Sequence, residues 1–380
     1  MATELVPLIR SKTEWSDENR RLHEDVVGAL AESGILKLRR PARYGGYETN
    51  TRTMLEVIAT IAIGDGSTAW NTSTWLIGSW MAGMFPDHVQ DEVFSDPTVR
   101  ICVVLSPTAM ATAVDGGLMV NGSWHFMSGA HHSQWQVVIT MAPTPDGADM
   151  WPVMALVPMS ELEIVDDWHT NAMVGTGSVT TVANNVFVPQ DRTIPMAAVL
   201  QNAYASERNA DSAVFTQPML PTGASGFIGV AVGLARAARD EFFQRLPGRK
   251  ITYTDYERQS DAPLTHLQVA EASLKLDEAE YHAYRIAGML DDKGAGREQW
   301  KMEDRTLYRG HFGRMALLAK ESVDIFATAS GGSSIYRKVP IQRIQADIHA
   351  LNLHALMHPN TNFEVYGRVL CGLEPNTMYL

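Results

Sequence analysis

The order in which helical and strand-forming segments follow one another is the feature that most limits what this 380-residue chain can fold into. Residues 1–97 carry apolar residues at helical spacing, interrupted by loops that contain Pro and Gly. Residues 98–205 change to short β-rich runs separated by turns, among them Asn121-Gly122, a strong hairpin signal. Residues 206–380 return to long amphipathic segments typical of a four-helix bundle. This segregated order predicts an α+β fold with three domains at these boundaries, rather than a doubly wound sheet.

The charge and composition of the chain argue against several classes of partner. The net charge is −12 and no run of Lys or Arg stands out, so we expect no binding to nucleic acid. No segment approaches the ~20 consecutive apolar residues of a membrane-spanning helix, and we expect no membrane partner. Only two cysteines are present, Cys102 and Cys371, and residues 1–15 are too polar for a signal peptide. These features predict a cytoplasmic protein.

Residues 222–229, TGASGFIG, match a glycine pattern of dinucleotide-binding loops. Such a loop has to follow a buried strand, whereas the preceding AVFTQPMLP contains two prolines, and long helical segments come next. We therefore interpret the glycines at 223, 226, 229 and 233 as positions where a helix packs closely against a neighbour. The motif does not predict a Rossmann site.

Five local patterns follow one another along the chain. The stretch 121–135, NGSWHFMSGAHHSQW, adds two tryptophans, a Ser-Gly step and an adjacent pair of histidines to a hairpin that needs none of them. The other patterns are GDGSTAWN before it, WHTNAMVGTGSVTTVANNVFVP after it, ASGGSSIYRKVPIQRIQADIHALNLH in the last third, and Tyr366-Gly367-Arg368 beyond that. In this order they resemble the acyl-CoA dehydrogenase superfamily, and more closely its branch of two-component, or group D, flavin-dependent monooxygenases.

The resemblance implies both a fold and a cofactor site. The fold is an N-terminal helical domain, a middle β-barrel or sandwich and a C-terminal four-helix bundle, and the cofactor is reduced FMN or FAD. Protein groups near N5 and the carbonyl oxygens of the ring would tune its electronics. The residues that the resemblance places at the cofactor are Phe126, Met127, Ser128, Gly129, Trp135, Thr176, Ser178, Arg314, Gly331 and Gly332. The last three would meet the far end of the flavin, from a neighbouring subunit of a homotetramer.

The resemblance also implies two histidines in hydroxylating relatives, of which this chain keeps one. The position in the last domain falls on His354, which we expect to be catalytic, either as a general base or as a hydrogen-bond partner of the activated oxygen. The position in the first domain, eight residues after Trp70, is Gly78. Three explanations of this missing histidine stay open: another residue acts as the base, the substrate needs no base, or the oxidation chemistry is lost. The expected substrate pocket contains Trp70, Asn71, Trp75, Gly78 and His132.

The histidines show no pattern typical of a metal site. His131 and His132 are adjacent, so their rings point apart in a strand or turn, and His349 and His354 lie about 140° apart around a helix. No carboxylate or cysteine completes a ligand set, and we predict no bound metal.

The function that the resemblance implies is a monooxygenase acting through a flavin C4a-hydroperoxide on a medium-sized aromatic or amine-bearing metabolite. The chain has no domain for NAD(P)H, so a separate NAD(P)H:flavin reductase has to supply the reduced flavin, and dioxygen is the second substrate. Two alternatives stay open: an FAD-dependent dehydrogenase or oxidase on the same fold, and a non-redox cyclase or binding protein. The C-terminal MHPNTNFEVYGRVL lacks the Y-E-G-T segment that supplies the carboxylate of acyl-CoA dehydrogenases, which argues against thioester chemistry.

Overall fold

The computed structural model describes residues 1–380 and begins with a helical region. Its helices are α1 (Ala2–Asn19), α2 (Glu24–Glu32), α3 (Thr51–Gly64), α4 (Gly66–Ala82) and α5 (Asp87–Val93). Every residue of α4 is buried. A helix that is small or apolar on all sides belongs in the interior of a protein, and α4 contacts helices and strands from all three regions of the chain. The candidate site forms around it.

The middle region is one eight-stranded mixed sheet. Its strands are β1 (Ile101–Val103), β2 (Ala109–Val114), β3 (Gly117–Met127), β4 (Trp135–Pro143), β5 (Met150–Pro158), β6 (Glu163–Val165), β7 (Val179–Pro189) and β8 (Thr193–Pro195). Neighbouring strands follow the order β6-β7-β3-β2-β4-β5-β8, and β1 pairs in parallel with β4. In the antiparallel pair β3–β7, Met127 lies opposite Val179, so the end of β3 meets the start of β7. The predicted cofactor residues lie at that junction.

The last region is helical. Its helices are α6 (Met196–Leu200), α7 (Met219–Ser225), α8 (Ile228–Arg245), α9 (Pro263–Gly296), α10 (Met302–Ala329), α11 (Ile341–Leu353) and α12 (Pro359–Leu370). One core of 74 buried residues joins these helices, the N-terminal helices and one side of the sheet, to which it extends through Val137, Ile139 and Leu156. A second core of 18 buried residues lies within the middle region. The predicted α+β fold is confirmed. The domain boundaries at 97/98 and 205/206 stay predictions.

The glycine motif at 222–229 serves helix packing. A Cβ at Gly229 would lie 2.6 Å from the Leu55 carbonyl oxygen, and a Cβ at Gly233 would lie 2.3 Å from the Ala59 carbonyl oxygen. Helix α8 therefore crosses α3 at backbone contact, which a larger residue would prevent. The motif begins inside the short helix α7 and runs into α8, and no strand precedes it, so it is not a Rossmann loop, as expected. No helix combines the length and apolarity needed to cross a lipid bilayer.

Candidate active site

A series of hydroxyl groups connects the sheet to helix α4. Trp70 Nε1 lies 2.9 Å from Ser128 Oγ, and Ser128 Oγ lies 2.7 Å from Ser178 Oγ. Ser178 Oγ in turn lies 2.7 Å from Thr176 Oγ1, which is 2.7 Å from the Met173 carbonyl oxygen. All five residues are buried. We call Ser128, Ser178 and Thr176 the hydroxyl chain.

The two ends of the hydroxyl chain determine the direction of every hydrogen bond in it. An indole N–H only donates, and a carbonyl oxygen only accepts. Thr176 therefore donates to the Met173 carbonyl, Ser178 donates to Thr176, and Ser128 donates to Ser178. Each hydroxyl proton is used within the chain, so Ser128 and Ser178 have only a lone pair left for a ligand. The hydroxyl chain is a surface that accepts hydrogen bonds.

The turn before β7 brings Thr176 and Ser178 side by side. Gly177 between them has a left-handed backbone (φ +51°), and a Cβ there would lie 2.7 Å from the carbonyl oxygen of Arg20, the residue after α1, so glycine is required. The Thr176 carbonyl accepts the Gly129 N–H at 3.1 Å and Asn71 Nδ2 at 3.0 Å. Asn71, predicted to line a substrate pocket, thus ties the turn to α4, and the Gly129 N–H is already engaged.

The facing wall is aromatic and comes from three helices. Trp70 on α4 stacks on Phe227, which precedes α8, with ring centroids 4.2 Å apart. His354, which ends α11, lies edge-on to Trp70 with centroids 5.2 Å apart, and its centroid is 5.4 Å from that of Phe227. We call Trp70, Phe227 and His354 the aromatic wall. Because Trp70 also donates to Ser128, one indole joins this wall to the hydroxyl chain.

The His354 ring is neutral, and the backbone determines its tautomer. Burial lowers the pKa of His354 to about 4. Its Nδ1 accepts the Leu356 N–H at 3.3 Å, so the ring proton is on Nε2, assigned from this hydrogen bond. The residue as a whole stays half-buried. At neutral pH His354 is therefore a hydrogen-bond donor through Nε2.

Phe126 presents a flat apolar surface at the end of β3. Its side chain is 68% exposed, and its backbone is left-handed with φ +63°. Its ring lies edge-on to Trp168, with centroids 5.9 Å apart. A large aromatic side chain held in solvent by an unfavourable backbone conformation points to a ligand that covers it.

The structure limits how two of the predicted cofactor residues, Met127 and Trp135, can act, and their roles stay predictions. The Met127 side chain is buried in the core of the sheet, so only its main chain can meet a cofactor. The Trp135 ring has the Arg192 guanidinium above it at 5.0 Å. The aromatic residue that packs against Phe126 is Trp168.

Trp75 and His132 form a separate cluster on another face of α4. Five helical positions separate Trp75 from Trp70, which turns the two side chains about 140° apart. Trp75 Nε1 donates to Ser133 Oγ at 3.0 Å, and the His132 ring lies edge-on to Trp75 at 6.2 Å. Burial lowers the pKa of His132 to about 4, and its Nε2 is buried without a partner. The structure does not bring these two residues into one pocket with Trp70.

Gly78 cannot line a pocket, because the space that its side chain would take is filled. A Cβ there would lie 2.0 Å from the Ile101 carbonyl oxygen and 2.8 Å from the carbonyl carbon. Helix α4 and strand β1 thus meet at backbone contact. This corrects the prediction that Gly78 belongs to the substrate pocket. A histidine at this position would force α4 and β1 apart.

Two arginines that the sequence analysis missed flank the Gly331-Gly332 step. Arg245 Nη2 lies 3.3 Å from Ser333 Oγ, and Arg249 Nη2 lies 2.9 Å from the position of a Cβ on Gly331. Arg245 Nη1 is buried without a partner. Guanidinium groups that lack a carboxylate partner suit a phosphate.

Arg314 does not join this group of cations. Its Nη2 lies 3.7 Å from Glu278 Oε2 on α9, and its side chain is 45% exposed. The local sequence offered no signal for Arg245 and Arg249, because they lie more than eighty residues from Gly331 along the chain.

These features fit a flavin in three respects. Phe126 offers a flat apolar face, the hydroxyl chain offers acceptors next to it, and the arginines beside Gly331 offer charge for a phosphate. In contrast, no group of three or more His, Cys, Asp or Glu side chains is arranged to hold a metal ion.

Comparison with known proteins identifies the class. The model of the acyl-CoA dehydrogenase C-terminal domain family matches residues 225–359. The flavin-dependent monooxygenase oxygenase subunit HsaA of Mycobacterium tuberculosis is 31% identical over 98% of this chain and 94% of its own. The oxygenase component of p-hydroxyphenylacetate 3-hydroxylase from Acinetobacter baumannii is 27% identical over 98% and 88%. The structure of XiaF from Streptomyces sp. in complex with FADH2 and glycerol is 28% identical, with a TM-score of 0.92 over 98% of this chain and 94% of that one.

The fold and the site define an acyl-CoA dehydrogenase-like flavoprotein. Within that superfamily, the chain belongs to the oxygenase subunits of two-component flavin-dependent monooxygenases. The resemblance noted in the sequence is confirmed. The roles of the individual site residues stay predictions.

Proposed function

We propose that this chain is the oxygenase component of a two-component monooxygenase that transfers one oxygen atom from dioxygen to a small aromatic molecule. Bound reduced FMN or FAD supplies the two electrons, and the second oxygen atom leaves as water. The relatives that align over nearly the whole chain are oxygenase subunits or components, which supports this activity. A separate NAD(P)H:flavin reductase is the partner that such a component needs.

One observation carries the proposal: Trp70 belongs to both walls of the site. Its indole N–H holds Ser128 at 2.9 Å, and its ring packs against His354 with centroids 5.2 Å apart. The groups assigned to the cofactor and the group assigned to the substrate are therefore one indole apart. Oxygen transfer requires this proximity, because the reacting atoms of cofactor and substrate have to meet.

The hydroxyl chain suits a reduced flavin better than an oxidised one. Ser128 and Ser178 can accept a hydrogen bond from a ligand but have no proton to donate, since Ser178 and Thr176 already take those protons. N5 of a reduced flavin carries a hydrogen, whereas N5 of an oxidised flavin is an acceptor. A wall of acceptors therefore favours binding of the reduced cofactor.

His354 acts as a hydrogen-bond donor rather than as a base. Nδ1 is engaged by the Leu356 N–H, and Nε2 carries the proton of the neutral ring. The pKa of about 4 means that the ring is neutral throughout the physiological pH range. With Gly78 in contact with β1, the aromatic wall contains no second imidazole. The site therefore suits an electron-rich aromatic substrate that does not have to lose a proton first.

Incorporation of labelled oxygen tests the proposed function. The purified protein is mixed anaerobically with photoreduced FMN or FAD and a panel of indoles and phenols, and isotopically labelled dioxygen is then admitted. We expect one labelled oxygen atom in one product class. Oxidation of a substrate without labelled oxygen would show a dehydrogenase or oxidase instead. Absence of flavin binding in both redox states would contradict the proposal.

We also propose that the protein works as a homotetramer assembled through its C-terminal helices. Helix α9 exposes an apolar stripe at helical spacing, formed by Leu264, Leu267, Leu274 and Tyr281, which are 58–73% exposed. The family resemblance places Gly331 of a neighbouring subunit at the far end of the flavin, and Arg245 and Arg249 flank that glycine. Light scattering should give four times the chain mass, and a monomer at micromolar concentration would exclude the assembly.

A cytoplasmic location is part of the same proposal. Both cysteines are free, Cys102 in the interior and Cys371 at the surface, as is typical of a reducing compartment. The cytoplasm is also where NAD(P)H is regenerated for a flavin reductase. Cell fractionation should place the protein in the soluble fraction, and recovery with membranes or outside the cell would contradict this.

A further inference from the structure

Asp347 is a buried carboxyl that the proposed reaction does not use. It lies on α11, two helical turns before His354, and is 2% exposed. Its Oδ1 accepts the Met173 N–H at 2.6 Å. A carboxyl group is rarely buried so completely, because removing it from water costs free energy unless it is hydrogen-bonded or paired.

The partner of Asp347 is the residue that anchors the hydroxyl chain. Met173 has a left-handed backbone (φ +50°), and its carbonyl accepts Thr176 Oγ1 at 2.7 Å and Trp168 Nε1 at 3.2 Å. The first of these bonds sets the direction of the hydroxyl chain, and Trp168 packs against Phe126. Asp347 therefore holds the main chain on which both cofactor-facing features depend.

The second oxygen of Asp347 faces the start of α4. A Cβ at Gly66 would lie 2.9 Å from Asp347 Oδ2. Next to it, Asp65 Oδ2 caps α4 through the Thr68 N–H and hydroxyl, both at 2.7 Å. Asp65 Oδ1 is buried without a hydrogen-bond partner. A buried carboxylate oxygen without a partner is unfavourable. A proton on the neighbouring Asp347 carboxyl would supply a hydrogen bond to Asp65.

We infer that Asp347 is a positioning residue that joins α11, the first turn of α4 and the 173–178 turn, and thereby holds His354 and the hydroxyl chain in register. This role rests on the proposed function. Asp347 touches neither cofactor nor substrate. It acts through the Met173 main chain on one side and through Asp65 on the other.

The carboxyl is held as the neutral acid, which lets it serve both sides at once. Burial, and then the Asp65 charge, raise the pKa of Asp347 to about 8. Protonated Asp347 accepts from Met173 and has a proton to donate to Asp65. The other charged groups that face it are Arg343 on its own helix, whose Nε lies 3.9 Å from Asp65 Oδ1, and Asp17 on α1. Burial and the Asp65 charge also raise the pKa of Asp17, to about 6.

Ionisation should therefore weaken the site at alkaline pH. Above about pH 8 the Asp347 and Asp65 carboxylates repel each other across the junction of α11 and α4. A carboxyl whose pKa is raised on folding lowers the stability of the folded state as pH climbs from the unfolded pKa to the folded one. The wild-type protein should therefore lose stability over this range, and it should lose affinity for reduced flavin above about pH 8, where Asp347 ionises in the folded protein.

Two substitutions at Asp347 separate the parts of this role. Asp347→Asn keeps an oxygen for Met173 and gives Asp65 an N–H that cannot ionise. Asp347→Leu keeps the branch at Cγ, with larger methyl groups, and has neither the acceptor nor the donor. Affinity for reduced FMN is measured by anaerobic fluorescence titration from about pH 6 to pH 9.5. We expect the affinity of Asp347→Asn to be within about twofold of wild type at pH 7 and not to change with pH. The affinity of the wild-type protein should fall about tenfold above pH 8, and that of Asp347→Leu should be low at every pH.

The matched control is Asp324→Asn. Asp324 on α10 also binds α11, through Gln345 and His349 at 2.9 and 2.6 Å, but it has no link to Met173. Its pH profile should follow that of wild type. Urea unfolding adds a readout for variants that bind poorly, because the gain in midpoint of Asp347→Asn over wild type should be larger at about pH 9 than at about pH 5.

Superimposable pH profiles for wild type and Asp347→Asn, or undiminished affinity in Asp347→Leu, would overturn the inference. These outcomes differ from failure of the proposed function. If wild type itself binds no reduced flavin at any pH, the proposed function fails, whereas the unfolding comparison still tests the neutral acid at the junction.

Discussion

The hydroxyl chain and the aromatic wall share Trp70 but are held together in different ways. The hydroxyl chain consists of small polar side chains from two turns of the sheet, joined by hydrogen bonds of 2.7–2.9 Å that all run in one direction. The aromatic wall consists of rings from three helices that touch by packing, with centroids 4.2–5.4 Å apart. Its one ionisable group, His354, is neutral.

This difference assigns different tasks to the two walls. In the hydroxyl chain the direction of each hydroxyl proton depends on the next acceptor. One substitution therefore changes which donors and acceptors the chain presents to the cofactor. In the aromatic wall the rings exclude water, and because the Trp70 N–H is already bound to Ser128, only the His354 Nε2–H is free to bind a ligand. Substitutions in the aromatic wall should therefore act on turnover, and substitutions in the hydroxyl chain should act on the choice between reduced and oxidised flavin.

The largest effect is expected at His354. His354→Ala removes the only donor of the aromatic wall that is free for a ligand, and we expect turnover to fall about 100-fold or more while the affinity for reduced flavin changes less than about threefold. His354→Gln supplies an amide N–H and should recover part of the loss. Because the pKa of His354 is about 4, the wild-type rate should show no step between pH 5.5 and pH 8 that this substitution removes. Single-turnover product formation measures the rate.

The control for His354 is available on the same helix. His349 pairs with Asp324 at 2.6 Å and is 46% exposed, so His349→Ala should leave turnover unchanged. An unimpaired His354→Ala variant, or a rate step near pH 6.5 that is absent from this variant, would show that the imidazole is dispensable or acts as a base.

The next effect concerns how α4 is fixed between the two walls. Gly78→Ala places a Cβ 2.0 Å from the Ile101 carbonyl oxygen, which is backbone and cannot rotate away. We expect a loss of about 3 kcal/mol in the free energy of unfolding, measured in urea. Gly28→Ala on α2 is the matched control, because nothing lies within 4 Å of its Cβ and alanine favours an exposed helix by about 0.5–1 kcal/mol. Equal stability of the two variants would show that β1 can shift and that position 78 is open to a side chain.

The two walls also differ in how far the sequence predicts them. Ser128, Thr176 and Ser178 belong to short motifs in which strand ends and a glycine-dependent turn determine the geometry locally, and the structure joins them as one chain. His354 could be nominated from the family motif that it resembles and from its spacing of twelve residues to Tyr366. Phe227 could not, because it lies in a glycine motif typical of nucleotide loops and meets Trp70 only after α8 has packed against α3.

The dependence on contacts between distant segments also explains why other positions could be described only from the structure. Alternation along a strand decides whether a side chain faces the core, and Met127 falls on the inner face at a bulge where the register shifts. Trp75 and Gly78 share a helix with Trp70, but the face that each occupies depends on what packs around α4. Asp347 and the arginines beside Gly331 depend on contacts between segments far apart in the chain, which one sequence does not reveal.

The smallest effect, and the sharpest test of the difference between the walls, is expected from Ser178→Ala. Ser128 now donates to Ser178 at 2.7 Å, so without that acceptor its proton is free to point at a ligand. An oxidised flavin, whose N5 accepts, should gain affinity relative to a reduced one, and we expect the ratio of the two dissociation constants to shrink about three- to tenfold. Both constants come from anaerobic and aerobic fluorescence titrations. Ser160→Ala, at an exposed position beside β5, should leave the ratio unchanged. If Ser178→Ala lowers the affinity for reduced and oxidised flavin equally, Ser178 only contacts the cofactor and does not orient the Ser128 proton. The hydroxyl chain would then not select between the redox states, and the proposed difference between the two walls would be wrong.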